Sequence, residues 1–261
     1  MVKLKFLIPI FTFCILITSC NKEQVVKANS DLFTDQEVLK IMDYIVLEYD
    51  YEKSDLYWDK DYNIIGAGLD IEFPIDNFWE EYGPVSIPSR SHRIHDNIVT
   101  STNTVNIGFD TSLPFSWKLA IIRSCGKYNN LNGDISFTYD ASNFRESGHD
   151  IWVSQRSYRP SGSIARTRYP NNNGEPGFNM WLNSNYPGYL NLYDMEFVIA
   201  HEIGHAIGMR HTDTNHGNQI PNLPVNCNDN NNDGSLMRTH LHDHSSRTFS
   251  SCDILSFQEI Y

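Results

Sequence analysis

Hydrophobic positions along the chain change period several times, and each change marks an element. Val38, Leu39, Ile41, Met42 and Ile45 recur at helical spacing behind Thr34-x-x-Glu37, a capping-box pattern, and predict a helix to about Tyr49. Residues 50–89 are aromatic, acidic and rich in turn formers, with a strand expected over Tyr62–Phe73 and a boundary at Pro84, Pro88 and Ser89. Beyond it "NTVNIGF" (103–109) alternates as a strand, and "LPFSWKLAIIRSCGKYN" (113–129) reads as a helix with proline near its start. "DISFTYD" (134–140), "HDIWVSQ" (149–155), "SGSIARTRYP" (161–170) and "GFNMWLN" (177–183) read as further strands. Helices follow over Asp194–Met209 and over residues 250–260, the last with a serine cap. This order predicts an α+β fold built on a mixed sheet.

The N-terminus changes the picture. "MVKLKFLIPIFTFCILITSC" has a basic start, an apolar run from Phe6 to Ile17 and then small residues, which reads as a secretory leader too short to span a membrane. Its ending, Ile17-Thr18-Ser19-Cys20, resembles the lipobox of bacterial lipoproteins, in which the cysteine carries lipid and becomes the first residue. The expected organisation is a signal peptide over 1–19, a tether and N-terminal segment over 20–89 that is a candidate pro-region, and a main domain over 90–261. Acylated Cys20 would anchor the protein stably, and the expected location is the outer membrane or cell surface.

Cysteine usage and charge follow from that address. Cys14 leaves with the leader, Cys227 and Cys252 are a candidate disulfide in an oxidising compartment, and Cys125 sits on an apolar helical pattern as a buried small residue. The formal charge of −12, more negative once Lys3 and Lys5 are removed, argues against nucleic acid and anionic membrane surfaces as partners. The oligomeric state is left open, with a monomer expected.

Candidate chemistry is concentrated in "VIAHEIGHAIGMRHTD" (198–213). Helical positions four apart differ by about 40°, so His201 and His205 project side by side from adjacent turns. Met195, Ile199, Ile203 and Ala206 lie on another arc, which faces the core. A continued helix would carry His211 away, but Gly208 tolerates the left-handed conformation that ends a helix and lets the chain bring His211 back to the same metal. Glu202 then points toward an open coordination position. The short pattern H-E-x-x-H is a metal-hydrolysis signature with the glutamate as general base, and the extended form ending in G-x-x-H is far more restrictive.

With His201, Glu202, His205, Gly208 and His211 all matching, the stretch resembles the metzincin peptidases. More narrowly, "AHEIGHAIGMRHTD" is similar to the dual-action HEIGH metallopeptidases, bacterial metzincins often found as secreted lipoproteins. The similarity is close over 198–213, looser from about Thr104 to Tyr261, and faint before residue 90. It implies a metzincin-like zincin fold: a twisted, mainly parallel sheet with an antiparallel edge strand, a backing helix, an active-site helix, a Met-turn and a C-terminal helix. Met237 in "GSLMRT" is the residue it places in the Met-turn, beneath the metal without binding it.

The resemblance also implies one catalytic zinc held by His201, His205 and His211, with Glu202 activating a zinc-bound water against peptide bonds. The matching cleft strand is "GSIARTR", so Ser163, Ile164, Ala165 and Arg166 are the expected substrate-binding residues, pairing with an extended peptide. Two departures stand out: Thr239 occupies the place where some metzincins carry a tyrosine ligand, and no cysteine between Cys20 and Cys125 offers a cysteine switch.

Weaker signals are read more plainly. His240, His242 and His244 in "HLHDH" are expected to be solvated. "DNNNDG" (229–234) starts like a calcium loop, but His240 stands where the final glutamate belongs; an Asn-rich turn is favoured, with a looser Ca2+ site left open. "PNNNGEPG" (170–177) is a turn cluster. The expected function is a lipid-anchored, extracytoplasmic zinc endopeptidase acting on proteins or peptides. The competing reading is a non-catalytic surface-binding or adhesion lipoprotein on a metzincin scaffold, against which intact Glu202 counts.

Overall fold

The computed structural model describes residues 36–49, 51–76, 78–83, 94–140, 148–158, 163–186, 188–212, 220, 223, 227, 235–238 and 248–261. Helix α1 (Gln36–Tyr49) is followed by β1 (Leu56–Asp59), β2 (Ile64–Ala67), β3 (Ile71–Pro74) and the one-turn α2 (Phe78–Glu81). Then come β4 (Thr104–Phe109), α3 (Phe115–Asn129), β5 (Ser136–Asp140), β6 (Ile151–Arg156), β7 (Ala165–Thr167), β8 (Asn179–Asn183), α4 (Leu192–Ala206) and α5 (Ser251–Ile260). Thr34 of the expected capping box lies outside the described residues, as does the leader. No helix among the described residues is long and apolar enough to cross a membrane.

One eight-stranded sheet carries the molecule, in the order β1-β2-β3-β7-β8-β6-β4-β5. β5, β4, β6 and β8 run parallel, and β7 is antiparallel to β8 with Arg166 opposite Trp181. This is the α+β, mixed-sheet fold that the element order predicts, with the mainly parallel sheet and antiparallel strand that the resemblance implies. Helices α3 and α4 lay Trp117, Ala120, Ile121 and Tyr128 together with Phe197, Ile199, Ala200 and Ile203 over Val105, Ile107, Val153 and Met180. Polar groups join the two helices as well: Tyr128 Oη donates to the Ala200 carbonyl (2.8 Å), and Ser124 Oγ to that of Glu196 (3.0 Å).

The N-terminal segment departs from expectation. The single strand expected over Tyr62–Phe73 is two strands, β2 and β3, joined by a turn at Gly68–Asp70. Gly68 has φ +62°, a conformation glycine adopts without Cβ strain, and the reversal it allows turns a run of alternating residues into a hairpin. That hairpin adds β1–β3 to the sheet, with β3 parallel to β7 at Ile71 and Thr167, so β7 has a neighbour on both sides. Alternation along β3 then sends neighbouring side chains to opposite faces. Phe73 meets Tyr49 (5.0 Å between ring centroids), Tyr82 (5.4 Å) and Phe78 (5.9 Å). Glu72 is buried with Arg156 and Trp181.

Candidate metal centre and active site

Helix α4 begins at a reciprocal cap. Asn191 Oδ1 accepts from the N–H groups of Tyr193 (2.9 Å) and Asp194 (3.1 Å), and Asp194 returns a bond to the Asn191 N–H (2.9 Å). The helix ends at Ala206, three residues short of the expected Met209, because Gly208 takes φ +105° and reverses the chain. A Cβ at Gly208 would sit 2.7 Å from the Asn97 carbonyl oxygen, so backbone approach as well as φ requires glycine here. The Gly208 carbonyl accepts from the His95 N–H (2.7 Å), which pins the turn to the 94–98 segment.

This turn returns His211 to the two helical histidines. The Nε2 atoms of His205 and His211 lie 3.1 Å apart, and those of His201 and His211 3.3 Å apart. His201 Nδ1 donates to the Leu236 carbonyl (2.8 Å) and His205 Nδ1 to that of Met209 (2.8 Å). A carbonyl only accepts, so each Nδ1 carries the proton and each Nε2 presents a lone pair inward. Burial, and then His201, push the His205 ring down to about 4, which keeps it neutral and ligand-competent.

A fourth group completes the cluster, and it comes from the hairpin turn. Asp70 Oδ2 lies 2.6 Å from His211 Nε2, 3.2 Å from His201 Nε2 and 3.4 Å from His205 Nε2. A tetrahedral zinc with bonds of about 2.0–2.1 Å separates its donor atoms by about 3.3 Å. The four side chains therefore fit a divalent cation in both spacing and chemistry, as three neutral imidazoles and one carboxylate, all buried.

Glu202 is 2 % exposed, and its Oε2 has no hydrogen-bond partner among the described residues. Burial pushes its carboxyl well above the usual range; Asp70 adds to this and the Arg166 guanidinium opposes it. Arg166 is itself buried, lowered to about 9 by burial with Glu202 resisting, and stacks on Tyr158 (4.2 Å) and Tyr57 (4.7 Å). Of the other residues expected in the cleft, Ser163 Oγ donates to the Leu69 carbonyl, the Ile164 carbonyl accepts from the Asn183 N–H (2.9 Å), and Ala165 pairs with Leu182.

Met237 is fully buried against Gly204, where a side chain would have no room. Its turn is held by a residue the sequence reading missed. Asp253, at the start of α5, accepts from Ser235 Oγ (2.6 Å) and the Leu236 N–H (2.7 Å) while also capping its own helix through the Ser250 N–H (2.8 Å). Asp253 thus fixes the carbonyl that orients His201. Cys227 and Cys252 form a disulfide beside it with Cα atoms 5.5 Å apart, and Cys125 is free and buried. Cys20, Thr239, the 229–234 stretch and His240, His242 and His244 lie outside the described residues.

Among solved structures, the chain is similar to one of myroilysin at 18% identity and TM-score 0.32, covering 44% of this chain and 55% of that one. A second myroilysin structure gives 10% identity and TM-score 0.42, with 67% and 92% covered. High choriolytic enzyme 1, a hatching-enzyme zinc-protease from the medaka fish Oryzias latipes, gives 15% and 0.40, with 69% and 98% covered. The chain thus spans little more than half the length of the first of these. Comparison with curated proteins finds no match. The family model of the dual-action HEIGH metallopeptidases matches residues 80–235, which contain all three histidines, Glu202 and the start of the Met-turn. The chain belongs to the dual-action HEIGH metallopeptidase family.

Proposed function

We propose that the protein is a zinc endopeptidase that hydrolyses internal bonds of peptides or proteins, anchored by lipid on Cys20 outside the cytoplasm. The observation that carries this reading is the convergence of His201, His205 and His211 Nε2, with Glu202 on the same helix between the first two. The three histidines hold the metal, and when bound it supplies Lewis acidity to water and to the scissile carbonyl. Glu202 takes the proton of the attacking water and passes it to the leaving amine, a transfer its raised carboxyl suits. Arg166 keeps a cation beside that carboxylate, and β7, paired with β8 on one side, presents its other side to an extended peptide once its short contact with β3 at Ile71 is released. The Met-turn and Asp253 keep the His201 ring from rotating.

Metal analysis of the purified mature chain tests the ligands: one zinc per chain is expected, with His211→Ala losing nearly all of it. Equal zinc in His211→Ala would remove this histidine from the site. Anchoring has its own test, motivated by Ile17-Thr18-Ser19-Cys20. Cys20→Ser is expected to move the protein from the membrane fraction to the soluble one, and a wild type that never incorporates labelled fatty acid would end the lipoprotein reading.

A further inference from the structure

We propose that Asp70 is a fourth metal ligand and that the β2–β3 hairpin holds the protein latent, its carboxylate occupying the place the attacking water needs. The inference rests on the metal reading above. Three imidazoles leave a position open for chemistry, whereas four protein ligands close it, as in structural zinc sites. Asp70 Oδ2 stands in that fourth position, within 3.4 Å of the Nε2 atom of each of the three imidazoles. The carboxylate is 6 % exposed and its Oδ1 has no hydrogen-bond partner among the described residues. Burying a charge that way is costly unless a cation compensates it, and the histidine centre is where Oδ2 points.

The hairpin also takes up the surface beside the metal. The Thr167 N–H donates to the Asp70 carbonyl (2.8 Å), and the Leu69 carbonyl accepts from Ser163 Oγ and from Arg166 Nε (3.3 Å). Ser163 and Arg166 are residues expected to meet substrate, and here they grip the turn instead. Two residues on, Glu72 locks β3 down: its carboxylate pairs with Arg156 and accepts from Trp181 Nε1 (2.6 Å). One short segment therefore competes with water at the metal and with peptide at β7. Activity requires Asp70 to withdraw.

The test uses the mature chain with Co2+ in place of zinc, read by visible absorption and titrated with acetohydroxamate, a small metal chelator. Wild type is expected to hold cobalt and bind the chelator weakly. Asp70→Ala should hold cobalt with an altered spectrum and bind the chelator about tenfold more tightly or better, because a site open in under about a tenth of molecules binds that much more weakly. Its peptide turnover should rise by a similar factor. Asp70→Asn, nearly isosteric, gives the same comparison should the alanine variant fold poorly. Identical spectra and chelator affinities in wild type and both variants would overturn the inference while leaving the metal site standing. Equal cobalt uptake by wild type and His211→Ala would instead remove the metal site, and the latency with it.

Discussion

Glu202→Ala should keep its metal and lose about 10²–10⁴-fold of its peptide turnover, the contribution of a positioned general base. The side chain lies in the cluster's helix but outside its donor set: the convergent atoms belong to Asp70, His201, His205 and His211. Its burial, and an Oε2 without a hydrogen-bond partner among the described residues, fit a group that exchanges protons rather than one held in a fixed network. Metal content and turnover are measured together, in wild type and in the Asp70→Ala background, so that latency does not mask the loss. Full turnover in Glu202→Ala would place the base elsewhere; loss of metal would make Glu202 a ligand.

Glu72→Ala should destabilise the fold by about 3–5 kcal/mol, the penalty for leaving one partner of a buried ion pair alone. Glu72 is fully buried, and removing it strands Arg156, which is itself buried and stacked on Tyr62 (4.3 Å) and Trp181 (4.3 Å). Arg168 Nε, 3.4 Å from the same carboxylate, loses its contact too. Urea unfolding with an unchanged slope reads the difference. The paired change Glu72→Leu with Arg156→Met should recover much of the stability, because apolar groups of similar volume replace a buried pair at little cost. A loss below about 1 kcal/mol in the single variant would show a pair weak enough to be solvated.

How far the site is legible in sequence depends on how local its geometry is. His201, Glu202 and His205 are set by helical period, and Gly208 by a φ that other residues resist, so their joint placement follows from spacing alone. Asp70 is different. It stands 131 and 141 residues from His201 and His211, and within its own stretch it looks like one more acid in an acidic segment. The turn that presents it was readable in principle, since glycine two residues before an acid between apolar runs is turn chemistry. Ile65, Ala67, Leu69, Ile71 and Phe73 instead alternate continuously, which is why β2 and β3 read as one strand. Asp253 is visible as a helix-capping residue, but its second bond, to Leu236, depends on tertiary packing.

That second bond of Asp253 sets an order of events during synthesis. The hairpin leaves the ribosome first, the histidines follow, and the carboxylate that positions Leu236 emerges only with α5. Until then the Leu236 N–H lacks the carboxylate that anchors its turn, and the carbonyl that accepts from His201 Nδ1 is less firmly placed. A chain lacking α5 is therefore expected to bind metal more weakly even with all three histidines present, which metal analysis of a truncation ending before Ser250 checks.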